Sequence, residues 1–334
     1  MPAAPPLTLT TDLTTGYPEL VELRAALDQA DWAAASRLFT GQPPGEPAQS
    51  PSVGTEPTRP SGVGTELIWY ASSVDAAHDV ARRRHEADPT DGPAAALLGA
   101  CLIKQAWAVR TSLRAEHVSR DQFREFHRTL RDAERVLIDA TAYHPDNCAA
   151  WTYRLVTARG LELGRSEARR RYDRLAETDP HHLPGQRQLL QQLCPKWGGS
   201  FEQMHAFARE AAAAAPAGAL NGRLVAEAHT EHWLELEGRA QRDYCADPQV
   251  RQELRDAAAR SVLHPDAEQS YGWVEAHNAF AMIFSVIGDH AAAAPHFAAV
   301  GNLVAADAWA YLKDPVAAFG RFRELATKAA GEAR

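Results

Sequence analysis

The sequence predicts an all-α protein, an α-solenoid of antiparallel helix pairs with a disordered N-terminal linker, and three observations carry that prediction. Ala, Leu, Arg, Glu and Gln dominate after the first sixty residues, and all are good helix formers. Val, Ile and Thr never alternate over a useful length, so the period-two signal of a strand is missing. A Pro-containing terminator recurs at Asp88-Pro89, His144-Pro145-Asp146, Asp179-Pro180-His181, Ala215-Pro216 and His264-Pro265-Asp266. From Pro145 to Pro180 is 35 residues and from Pro180 to Pro216 is 36, the length of two short helices with their turns. Neither helix of such a unit buries its apolar face alone, so the spacing implies stacking of neighbouring units.

Residues 1–17 are rich in Pro and Thr and read as a flexible tail. Pro18 to Thr40 has helical periodicity, and Ala30-Asp31-Trp32 followed by Ala35 and Phe39 reads as an isolated helix pair. Gly41 to Glu66 carries six Pro and five Gly with few large apolar groups, so residues 41–64 are assigned as a linker. Residues 65–331 form the expected helical array. Within it, Pro89 to Pro145 (56 residues) and Pro216 to Pro265 (49 residues) exceed the unit, which calls for elongated helices or an insertion. The charged stretch Thr111 to Arg131 is the candidate insertion in the first of these.

Composition bounds function. Thirty-five basic against 43 acidic residues give a net charge of -8, which leaves no whole-chain footprint for nucleic acid or an anionic membrane. The clusters Arg82 to Arg84 and Arg169 to Arg171 are interleaved with acids and read as solvated helix faces. The N-terminus has neither the basic nor the apolar region of a signal peptide, and no run approaches the roughly 18 apolar residues of a membrane span, so a cytoplasmic location is expected. Cys101, Cys148, Cys194 and Cys245 stand far apart without a Cys-x-x-Cys pair, as suits buried thiols. With 4 Lys against 31 Arg and much Ala, the sequence has the character of a GC-rich bacterial source.

Ala133, Leu137, Ala140 and Pro145 follow a small, aromatic-or-Leu, small, Pro pattern, as do Ala168, Tyr172, Leu175 and Pro180. Near the C-terminus, Ala281, Phe284, Gly288, Asp289, Ala293 and Phe297 occupy small, aromatic, turn, small and aromatic positions. These residues resemble the tetratricopeptide family, closely over 130–180 and 274–300 and in degenerate form between. Met204 stands where the pattern has a small residue, and Pro295 falls inside an expected helix, which must start late or kink. Cys194-Pro195-Lys196-Trp197-Gly198-Gly199-Ser200 also resembles a segment of a bacterial family of helical-repeat proteins, an association that implies no particular activity. Its two glycines and Ser200 read as a helix break and an N-cap.

The resemblance implies a concave surface lined by the first helix of each pair, where an extended peptide or protein segment binds. Carrying the register over puts Tyr153, Thr157, Gln186, Glu227, His229, Glu275 and Asn278 on that surface, with its carboxylates favouring a basic or amide-rich ligand. The segments Glu227-Ala228-His229 and Glu275-Ala276-His277 repeat Glu-Ala-His in consecutive first helices. His229 and His232, three apart, share a helix face. A metal or acid–base site drawn from His229, His232, His277, Glu231, Glu227 and Glu275 follows as a second possibility, because imidazole and carboxylate suit zinc or iron. No His-Glu-x-x-His, nucleotide-binding Gly-rich or nucleophile-elbow motif occurs. The leading expectation is therefore a protein- or peptide-binding scaffold without a cofactor. An enzyme on a helical-repeat fold ranks second, and an accessory subunit with a large apolar patch ranks third. Trp69, Trp107, Trp151, Trp233, Trp273 and Trp309 are expected as packing wedges.

Overall fold

The computed structural model describes residues 8–42, 61–110 and 118–332. Among them are seventeen α-helices and no strand, so the all-α expectation holds. The described helices divide into two compact units, one within residues 18–199 and the other within residues 200–332, the latter including the described N-terminal residues 8–17.

In the first unit, α1 (Glu19–Asp28) and α2 (Trp32–Thr40) are separated by Ala30 in the left-handed region and by Asp31, whose carboxylate caps α2 at the Ala34 amide. This pair is not isolated. Leu20, Leu23, Leu27 and Phe39 are buried, the pair packs on α3 (Ser61–Ala71), and the Trp32 indole donates to Asp91 at 2.9 Å. The linker expectation for 41–64 meets helix α3 from Ser61 onward, and its residues 43–60 lie outside those described. Gly64 permits the approach of α3 to α2, because a Cβ there would stand 2.2 Å from the Phe39 carbonyl oxygen.

Next come α4 (Ala77–Ala87), α5 (Gly92–Arg110), α6 (Arg120–Tyr143), α7 (Cys148–Gly160), α8 (Arg165–Thr178) and α9 (Leu183–Leu193). The 56-residue spacing from Pro89 to Pro145 is met by elongation, since α5 has 19 residues and α6 has 24. Residues 111–117 of the proposed insertion lie outside the described chain. From Arg120 the rest of it is simply the start of α6, which Ser119 and Gln122 open with a reciprocal capping box. By length and composition alone α5 could cross a membrane, although Lys104 and Gln105 interrupt its apolar run. It serves as a core helix, with Ala94 to Cys101 buried against α4, α6 and α7.

An ionic cluster holds α6, α7 and α8 together. The buried Glu134 carboxylate accepts from Arg154 at 3.1 Å, from Arg171 at 2.9 Å and from the Thr157 hydroxyl, while Arg171 also reaches Glu167 at 2.7 Å. Burial pushes the Arg154 guanidinium below its ordinary range, and Arg171 and Arg170 add to this while Glu134 opposes it. The two hydrogen bonds from Arg170 and Arg171 hold Glu167 down at about 2.

The second unit runs α10 (Phe201–Ala214), α11 (Arg223–Leu234), α12 (Gly238–Ala246), α13 (Pro248–Arg260), α14 (Trp273–Val286), α15 (His290–Val300), α16 (Ala306–Trp309) and α17 (Pro315–Glu332). The long spacing from Pro216 to Pro265 is an insertion here, the extra helix α12 between α11 and α13. Pro295 does not delay α15. Asp289 caps the helix at the Ala292 amide and Pro295 sits inside it. The N-terminal stretch, expected as a tail, is pinned from Thr10 onward. Thr10 exchanges backbone hydrogen bonds with Asn302 and Val304, and Tyr17 is buried, donating its hydroxyl proton to Glu275 and accepting from the Gly272 and Val274 amides at 3.1 and 3.0 Å. Residues 1–7 of that tail lie outside those described.

Candidate metal centre

The break before α10 is built as the sequence implies. Gly198 adopts φ +85°, Gly199 passes so close to the Leu193 carbonyl that a Cβ would lie 1.9 Å from its oxygen, and the Ser200 hydroxyl caps the Gln203 amide at 3.2 Å. Starting α10 there puts Met204 and Ala208 in the core with His205 beside them. On α11, His229 and His232 lie three apart and face the same neighbours. The inserted α12 delivers Tyr244. Asp247 then caps α13, where Val250 and Leu254 are buried and Glu253 stands next to Leu254 at the rim.

These side chains converge. His205, His229 and Glu253 each offer a ligand atom, and the three atoms lie within 4.8 Å of one another. His229 is 3% exposed; its Nδ1 is 2.6 Å from the Tyr244 hydroxyl, while its buried Nε2 has no hydrogen-bond partner and stands 3.6 Å from Glu253 Oε1. His205 Nε2 lies 3.0 Å from His232 Nδ1, so these two rings share one proton between facing nitrogens. The His232 ring in turn stacks on Phe201, with centroids 3.8 Å apart and planes 15° apart. Arg209 Nη1 approaches Glu253 Oε1 at 3.4 Å.

The electrostatics favour uncharged His205 and His232 rings beside an ionised Glu253. Burial drives His205 down to about 3, helped by His229 and His232, and burial together with His229 lowers His232. The approach of His229 at 3.6 Å, with Arg209 on the other side, holds Glu253 below the ordinary carboxylate range against the opposing effect of burial. Burial first, then Glu253, raises the Tyr244 phenol, which stays protonated. Neutral imidazole and ionised carboxylate are the forms that ligate a metal. Tetrahedral zinc, with bonds of about 2.0 to 2.1 Å, sets its donors about 3.3 Å apart, so closing this set needs a movement of up to about 1.5 Å. Glu253, at the rim with 28% of its side chain exposed, is the group with room to make it.

Of the expected metal ligands, His229 and His232 belong to this cluster and the others do not. His277 faces His296 instead, with Nδ1 atoms 3.0 Å apart. Glu231 is buried and accepts from Tyr311 at 3.4 Å, Glu227 is bonded by Arg223 at 2.7 Å, and Glu275 is held by Tyr17. His205, Glu253 and Tyr244 were missed. The first two flank strongly apolar core positions, and that is the only trace they leave in the sequence.

The expected groove residues lie mostly inside the fold. The Tyr153 hydroxyl donates to the Thr65 carbonyl at 2.7 Å, Thr157 donates to Glu134, and Gln186 donates to the Pro180 carbonyl at 3.0 Å. The fully buried Asn278 donates to the Val274 and Leu303 carbonyls and accepts from the Trp309 indole at 2.8 Å. A cavity does border Tyr153, between α3, α7 and α9, where Trp69 and the Glu66–Arg187 ion pair at 3.5 Å share its lining. No protein-family model matches this chain, and no curated protein matches it significantly.

Proposed function

We propose that this chain binds a divalent transition-metal ion, zinc or iron(II), through His205, His229 and Glu253. The observation that carries the reading is the buried His229 Nε2, which has no hydrogen-bond partner and faces a carboxylate 3.6 Å away, with His205 completing a set within 4.8 Å. Leaving a buried nitrogen unpaired costs about 1–3 kcal/mol, and a metal ion at this point removes that cost. Two imidazoles and one carboxylate leave coordination positions open, the arrangement used for Lewis-acid and water-activating chemistry. Metal-assisted chemistry on a small molecule is therefore the activity that fits, ahead of a scaffold role.

The framework reading is an array of helix pairs of the tetratricopeptide kind. It is supported by the burial of the positions that carry the resemblance, among them Ala133, Leu137, Ala168, Leu175, Ala281, Phe284 and Ala293, and by Gly288 at φ +75° in the turn between α14 and α15. Binding of a peptide in a concave groove draws less support, because Tyr153, Thr157, Gln186 and Asn278 spend their polar groups inside the fold.

Loading the purified chain with zinc, iron(II) and manganese, followed by gel filtration and elemental analysis, tests the proposal. About one ion per wild-type chain, lost in His229→Ala and Glu253→Gln, is the expected result. Substoichiometric metal in all three wild-type samples overturns it.

A further inference from the structure

The open side of the candidate metal centre carries a positive charge whose geometry suggests a ligand. Arg209 lies four residues after His205 on α10, so the two share a helix face, and its guanidinium reaches the same Glu253 oxygen that faces His229 Nε2. Exposure grades across the cluster, from His229 at 3% through Glu253 at 28% to Arg209 at 53%. The imidazoles thus form the floor of the site and the guanidinium its mouth.

Charges can be summed for the occupied site. A divalent ion contributes +2, Glu253 -1 and Arg209 +1, and ligating imidazoles contribute nothing, which leaves +2 at a centre with open coordination positions. Once Glu253 turns its oxygen to the metal, a planar guanidinium with five N–H donors stands beside it with donors to spare. A cation next to an open metal position selects an anionic oxygen ligand, since one oxygen can sit on the metal while another accepts from the guanidinium.

We infer that the open coordination side of this centre takes a small oxyanion, a phosphate or carboxylate group, held jointly by the metal ion and Arg209. The inference rests on the metal reading above. It assigns the substrate class of the site, a small molecule bearing such a group, and makes Arg209 its specificity-determining residue.

The test uses the full-length chain loaded with cobalt(II), whose visible absorption reports its coordination sphere. Inorganic phosphate is titrated in one arm and acetate in the other, against wild type, Arg209→Gln and Arg209→Lys. Because Arg209 is half exposed, neither substitution threatens folding. The expected result is a saturable spectral change in wild type with at least one of the anions. Arg209→Gln should bind that anion roughly ten- to hundredfold more weakly, as befits a lost charge-assisted hydrogen bond, and Arg209→Lys should fall between. Metal stoichiometry should be equal in all three proteins. Cobalt uptake without a response to either anion, or equal anion affinity in wild type and Arg209→Gln, overturns the oxyanion site and leaves the metal site standing. Absence of cobalt uptake overturns both.

Discussion

Replacing the buried His277–His296 pair with apolar groups should remove a defined part of the protein's sensitivity to acid. The two rings face each other at 3.0 Å in the core between α14 and α15, and His296 lies between Phe280 and Phe284 with centroids 5.2 and 5.7 Å away and its Nε2 unpaired. Burial brings His277 from an ordinary 6.5 down to about 4 and lowers His296 in the same direction, with His277 adding to the effect. A histidine with a depressed pKa in the fold stays neutral there while the unfolded chain takes up its proton first. Its contribution to stability is therefore whole above pH 6.5 and is lost as pH falls from 6.5 toward 4. For His277 alone the loss at pH 5 is RT ln[(1 + 10^1.5)/(1 + 10^-1)], about 2 kcal/mol, approaching about 3.4 kcal/mol below pH 3. The double variant His277→Leu, His296→Phe keeps the packing and the stacking but not the titration. Urea denaturation followed by circular dichroism at pH 7.5 and pH 5 measures the difference. The wild type should lose at least about 2 kcal/mol more than the variant between those two values. Equal losses in the two proteins would refute the reasoning.

Two further predictions concern buried polar groups. Glu134→Gln removes the anion shared by Arg154 and Arg171, leaving buried guanidinium charge uncompensated, and should lower stability by about 3–5 kcal/mol in a urea titration; a change under 1 kcal/mol contradicts the ionic account. Tyr17→Phe deprives Glu275 of its donor and the Gly272 and Val274 amides of their acceptor, and should cost about 1–3 kcal/mol and speed hydrogen exchange at those two amides. Unchanged exchange there would show that the N-terminal stretch does not fasten α14.

What could be read ahead of the structure was local. The turns at Pro145 and Pro180 punctuate the chain where expected, with α6 ending at Tyr143 and α8 at Thr178, because a proline terminator acts within a few residues. Ser200 and Gly198 were legible for the same reason. Partners far apart in sequence were not. Tyr17 finds Glu275 across 258 positions, and the stretch carrying it has the Pro and Thr content of a tail. Helix α12 was hidden because Gly238 to Ala246 buries none of its residues, so no apolar stripe announces it. The groove residues illustrate a different physical limit. A small polar residue at an inward register position reads alike whether it lines a groove or satisfies a carbonyl, and Thr157 and Asn278 do the second. At the candidate centre, the three-residue spacing of His229 and His232 was visible on one helix. His205 and Glu253 join them only through the packing of α10 and α13 on α11.

Titrating the purified, metal-free chain with zinc against a chromogenic chelator tests the central claim most directly. The account predicts saturation at one zinc per chain, a folded state more stable by RT ln(1 + [Zn]/Kd), and loss of both in His205→Ala, His229→Ala and Glu253→Gln. Failure of the wild type to compete with the chelator, or retention of the zinc when all three groups are removed together, would contradict it.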